Sequence, residues 1–207
     1  MALLTEAREA LFKRVISKTQ FDCTVILENV HDPHNIGAVV RSCDAVGIRK
    51  IYVIDTHENL ISREFKKDMS TSTGVSRWID IIKFTSVEEG VQAIRKDYDR
   101  IIGTHLDADS ISLYEEDLSG SVAIAFGNEH QGMTQELLAH CDANIIIPQM
   151  GMVQSLNISV ACAVTVFEAA RQRLSKGKYA GDFDSADANQ AAKYDQYVQI
   201  QTERRLK

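Results

Sequence analysis

The chain has 207 residues, 44% of them hydrophobic and 25% charged, with a formal net charge of −6. That length and balance suit one α/β domain with short flanking segments and exclude a globally disordered chain. No apolar run approaches the roughly 20 residues that span a bilayer, and the first 18 residues mix charged with apolar side chains where a secretory leader would be continuously apolar, so a cytoplasmic protein is expected.

Leu4, Ala7, Leu11, Phe12 and Val15 recur at helical spacing and predict an N-terminal helix over residues 4–18. A short apolar run at 23–27 suits a buried strand. Ile36, Val39, Val40 and Cys43 predict a helix over 35–46 that stops at Gly47. Strands are expected at 51–54 and 79–84, a helix at 87–96, and strands at 100–104 and 122–126. A short helix at 134–140, a last strand at 144–147 and a long apolar helix at 155–174 follow. Residues 177–189 are rich in Gly, Asp, Ser and Ala and read as a loop. Residues 190–206 predict a polar helix that needs a partner.

Strands alternate with helices, and the strands are continuous apolar runs. That combination defines an α/β fold with a mostly parallel sheet flanked by helices. The predicted organisation is an N-terminal helix over residues 1–20, a main domain over 21–174, and a short tail with a helix over 175–207.

The acidic excess is local. Residues 80–120 hold ten acids and four bases, a difference of −6 that equals the net charge of the whole chain. Elsewhere the charge is balanced, with basic clusters at Arg63-Lys66-Lys67, Arg171-Arg173-Lys176-Lys178 and Arg204-Arg205-Lys207. Charge alone therefore neither establishes nor excludes an RNA partner. Cys23, Cys43, Cys141 and Cys162 lie in apolar stretches without CxxC spacing, which predicts free thiols rather than zinc ligands or disulfides.

Ligands of open parallel sheets sit beyond the carboxyl ends of the strands. Three polar, glycine-containing segments follow predicted strands here. The first runs Asn29-Val30-His31-Asp32-Pro33-His34-Asn35-Ile36-Gly37 and on to Arg41. A helix starting near Asn35 exposes free N–H groups. Arg41 lies one turn beyond Gly37 and Ala38, so its guanidinium has open space suited to a phosphate or a ribose. The GxGxxG fingerprint is absent, which disfavours a nicotinamide cofactor. The second segment is Gly127-Asn128-Glu129-His130-Gln131-Gly132, where two glycines let the backbone approach a ligand. The third runs from Ile147-Pro148 to Ser155-Leu156-Asn157. Ser155 is expected as the N-cap of the long helix. Asn157 and Ser159 would then lie inside it and need polar partners.

In this order and strand context, the segments resemble the three motifs of the SpoU branch of the SPOUT RNA methyltransferases. Asn29 to Arg41 matches N-x-x-D-P-x-N-x-G-x-x-x-R, Gly127 to Gly132 matches G-N-E-x-x-G, and Ile147-Pro148 with Ser155-Leu156-Asn157 matches the third motif. The resemblance covers about residues 23–173. It implies a trefoil knot in the C-terminal part of the domain, a homodimer, and S-adenosylmethionine as methyl donor, with no metal. The implied donor pocket is lined by Thr104, Gly127, Ile147 and Leu156, with backbone from Asn128 to His130. Arg41 matches the family arginine that acts on the ribose 2′-hydroxyl, either deprotonated with help from a phosphate or charged and positioning the oxygen. A guanidinium is a poor base, and placing the oxygen in line with an activated methyl supplies much of the rate. Positioning with a shared proton path is therefore the favoured reading. Asn35, Glu129, Ser155 and Asn157 match the polar residues that arrange the site.

Within the family the chain looks most like the enzymes that methylate the 2′-oxygen of guanosine 18 in the tRNA D-loop. Ribosomal RNA or another tRNA position is the alternative substrate, and a non-catalytic RNA-binding protein is a weaker one. The tail after Leu174 is short for the family, and ribosomal RNA members with a large N-terminal RNA-binding domain match less well. The N-terminal helix and the Arg63-Lys66-Lys67 segment are the candidates for gripping the RNA backbone.

Overall fold

The computed structural model describes residues 4–56, 74, 76–107 and 109–205. Strands β1 (Cys23–Glu28), β2 (Lys50–Ile54), β3 (Asp80–Phe84), β4 (Arg100–Thr104), β5 (Ile111–Ser112), β6 (Val122–Phe126) and β7 (Ala143–Ile146) form one sheet. Its order is β3-β2-β1-β6-β4-β7-β5, and every neighbouring pair is parallel. The helices are α1 (Glu6–Ile16), α2 (Pro33–Ala45), α3 (Val87–Ile94), α4 (Gln135–Leu138), α5 (Ile158–Ser175) and α6 (Ala188–Arg205), with a 3-10 turn at Ser76–Trp78. Among the described residues no helix is long and apolar enough to cross a membrane.

The continuous apolar runs are explained by burial on both sides. Side chains alternate across a strand, so Val25 and Leu27 join Ile51, Val53, Ile124 and the inner faces of α2 and α5. Ile26 joins Tyr52, Ile54 and Ala125 against α3 and Leu137 of α4 on the opposite face. Cys43 of α2 and Cys162 of α5 belong to the first core. All four cysteines are free, and burial pushes the Cys23 and Cys141 thiols up to about 12, so they stay protonated at neutral pH.

Two helix starts differ from expectation. Helix α2 begins at Pro33, because Asp32 caps it by accepting the His34 N–H at 2.9 Å, and proline suits the first helical position. Helix α5 is capped by Asn157 rather than Ser155: its side-chain oxygen accepts from the Ser159 N–H at 2.9 Å and the Ser159 hydroxyl at 2.6 Å. Asn157 and Ser159 thus satisfy one another at the helix start instead of being stranded inside it.

The polar helix α6 finds its partner in α1. Phe12, Trp78 and Tyr197 pack ring against ring at 4.9–5.4 Å, and Lys193 and Gln196 of α6 both donate to Asp80 at the start of β3. The basic cluster after residue 170 is paired within the chain, and Arg173 is buried. Arg173 is 1% exposed and donates to Asp22, to Gln20 and to the carbonyls of Leu118 and Gly120. Arg171 pairs with Glu168, Lys176 with Asp117 and Lys178 with Asp22. Arg173 is therefore a latch between α5 and the amino ends of β1 and β6, not a surface for RNA.

Candidate functional site

The three polar segments leave the carboxyl ends of neighbouring strands: β1 lies beside β6, β6 beside β4, and β4 beside β7. The second and third segments line a cleft of about 380 Å³; Asn35, Arg41 and Asn157 are not among its lining residues, and the first segment reaches it through the Asn35–Glu129 hydrogen bond. Thr104, Gly127, Asn128, Ile147 and Leu156 all line the cleft, as do Glu129 and Ser155. His105, Gln149 and Gln154 line it too, and the motif comparison had not selected them.

The second segment is a closed loop. Asn128 and Gly132 exchange both backbone hydrogen bonds, at 3.0 and 2.8 Å. The Asn128 side-chain oxygen accepts the His130 N–H at 2.8 Å, folding the tip back on itself. Gly132 closes the turn with φ +69°, a conformation that favours glycine. At Gly127 a Cβ would stand 2.1 Å from the Gly132 carbonyl carbon, so the two strands of the loop touch there backbone to backbone.

Polar side chains connect this loop to the other segments. Asn35 donates to a Glu129 carboxylate oxygen at 2.5 Å, and Asn157 donates to the Asn35 side-chain oxygen at 3.2 Å. One hydrogen-bonded row thus runs from the start of α5, across the first turn of α2, to the cleft. Arg41 stands further along α2, exposed, with no hydrogen bond or ion pair among the described residues. Its helical neighbours one turn back are Gly37 and Ala38, which carry almost no side chain. Its guanidinium is thus uncommitted among the described residues.

Of the suggested RNA contacts, the Arg63-Lys66-Lys67 segment lies outside the described residues. In α1, Arg8 donates to Gln201 at 3.1 Å and Lys13 pairs with Glu9 at 2.7 Å. Glu28, just before the first motif, and Asn29, its first residue, also hold the cleft loop, through Thr134 and Asn128. The sign in the sequence was a carboxylate closing an apolar strand.

A cleft at the carboxyl ends of parallel strands, apolar on one wall and rimmed by aligned amides and a carboxylate, defines a ligand-binding α/β protein of the nucleotide-cofactor type. The chain belongs to the SpoU rRNA Methylase family, whose model matches residues 22–167. It is 38% identical over 175 residues to the tRNA (guanosine(18)-2'-O)-methyltransferase of Thermus thermophilus, covering 84% of this chain and 88% of that one. Among solved structures it resembles the A. aeolicus TrmH/SpoU tRNA modifying enzyme, with TM-score 0.78, 28% identity and 98% of each chain covered. It also resembles the AdoMet-bound rRNA methyltransferase from Sinorhizobium meliloti, with TM-score 0.64, 30% identity, and 76% of this chain and 59% of that one covered.

Proposed function

We propose that this chain transfers a methyl group from S-adenosylmethionine to the ribose 2′-oxygen of guanosine 18 in tRNA. The observation that carries the proposal is the Asn157–Asn35–Glu129 row, which links all three segments and ends at the cleft on Glu129. The cleft fits the donor in chemistry. Ile147 and Leu156 offer an apolar wall for an adenine, and the Gly127–Gly132 loop, packed backbone to backbone at Gly127, also lines the cleft. When bound, the donor supplies an electrophilic methyl on a sulfonium. Glu129 provides negative charge beside it, and the row holds that carboxylate in place.

Arg41 orients the 2′-hydroxyl and its neighbouring phosphate from the open side of α2. A charged guanidinium binds both groups without having to act as a free base. The relatives whose names specify tRNA guanosine 18 support this substrate, since the chain aligns with them over most of both lengths. A tRNA substrate and four free thiols are consistent with a reducing cytoplasm.

The proposal includes a trefoil knot and a homodimer. β7 is inserted in the sheet between β4 and β5, which precede it in the chain, and this strand order supports the knot. Val160, Phe167 and Leu174 recur every seven residues on α5 and are 47%, 53% and 62% exposed. Such an apolar stripe supports pairing with a second copy.

The test is methyl transfer from labelled S-adenosylmethionine to an unmodified tRNA transcript, with the modified nucleotide mapped by nuclease digestion and mass spectrometry. Methylation of the guanosine 18 ribose is expected. Label confined to ribosomal RNA, or to a base, would overturn the proposal.

A further inference from the structure

We infer that Glu28 is a positioning residue for the donor loop: its buried carboxylate, with the adjacent Asn29 carbonyl, fixes both ends of the loop that carries Glu129. The inference rests on the reading that the cleft holds S-adenosylmethionine.

Glu28 ends β1 and is 0% exposed. Packing alone would be served by an apolar side chain there, and a buried carboxylate is tolerated only where donors meet it. One oxygen accepts the Thr134 N–H at 2.8 Å, and the other accepts the Thr134 hydroxyl at 2.5 Å. The same hydroxyl oxygen accepts the Leu137 N–H at 3.1 Å as the N-cap of α4. Glu28 therefore holds the chain two residues after Gly132, where the loop leaves the cleft.

The next residue holds the loop's entry. Asn128 donates from its side-chain amide to the Asn29 carbonyl at 2.9 Å. Asn29 has φ +52°, a conformation that asparagine adopts more readily than most residues. Its side-chain oxygen accepts the backbone N–H of Thr56 at 2.9 Å and the Thr56 hydroxyl at 3.2 Å. Its own N–H donates to the Ile54 carbonyl at 2.9 Å. Two consecutive residues at the end of one strand thus grip the loop at 128 and at 134. Between those points lie the cleft-lining residues Glu129 to Gly132. Releasing one grip lets Glu129 drift from Asn35, which loosens the donor pocket. Arg41 sits on a separate helix and is not disturbed.

The prediction is a defect in donor binding rather than in the chemical step. In Glu28→Gln an acceptor becomes a donor facing the Thr134 N–H or hydroxyl. Calorimetry with S-adenosylmethionine, with steady-state kinetics at saturating tRNA, should show Kd and KM for the donor raised at least tenfold and kcat within threefold of wild type. Thr134→Val should weaken donor binding similarly. Thr134→Ser, which retains both donors, should bind within twofold of wild type. A folded Glu28→Gln with donor Kd within twofold of wild type would overturn the inference, as would a fallen kcat with unchanged KM. If Glu28→Gln does not fold, the threonine pair decides: Thr134→Val binding the donor as tightly as Thr134→Ser refutes the grip. Wild-type protein that bound no S-adenosylmethionine would instead remove the underlying reading.

Discussion

Arg41→Ala should lower kcat for tRNA methylation by roughly 10³-fold, about 4 kcal/mol of transition-state stabilisation, while the donor Kd stays within a factor of two. The side chain is exposed and makes no hydrogen bond or ion pair among the described residues, so its removal leaves the described hydrogen bonds of the fold intact. Loss of a charged group that orients a reacting hydroxyl removes an interaction realised mainly in the transition state. Arg41→Lys should recover only a small part, since an ammonium is a point charge without the planar fork that spans hydroxyl and phosphate. Single-turnover kinetics at saturating donor and tRNA separate this from weakened RNA binding. A variant with wild-type single-turnover rate would remove Arg41 from the reaction.

Gly127→Ala should abolish measurable donor binding and lower stability by about 3 kcal/mol, at the upper end for overpacking. The added Cβ would meet the Gly132 carbon at 2.1 Å and the Met133 nitrogen at 2.2 Å, both backbone atoms. No rotamer relieves that contact, so the Asn128–Gly132 bridge must open. Gly132→Ala is a useful contrast. Its Cβ meets nothing within 4 Å, but its φ is +69°, so the cost is backbone strain of about 1 kcal/mol. Gly120→Ala meets nothing within 4 Å and has no positive φ, and it should be neutral. Donor titrations and thermal melts of the three variants check the order. Equal behaviour of all three would contradict the close-contact account.

Most strands were legible because burial on both faces makes them continuous apolar runs, as in residues 122–126. Strand β5 was not, since two residues, Ile111 and Ser112, carry no periodicity and are held by pairing with β7. The start of α5 was misplaced because Ser155 and Asn157 are both good caps, and only three-dimensional placement decides between them. The burial of Arg173 leaves no local trace in the sequence because its partners, Asp22, Leu118 and Gly120, lie more than 50 positions away. Seven of the expected site residues, Thr104, Gly127, Asn128, Glu129, Ile147, Ser155 and Leu156, line the cleft, because each lies at the carboxyl end of a strand or in the segment that follows one. The row that links Asn157, Asn35 and Glu129 was not legible, because it depends on which strands are neighbours, and strand order leaves no local trace in sequence.

The most direct test is a crystal structure with S-adenosylhomocysteine, the demethylated form of the donor. The account places the ligand in the cleft between the Gly127–Gly132 loop and the Ile147 and Leu156 wall. Density in a second cavity, lined by Lys50, Lys96 and Lys193, with this cleft empty, would contradict it.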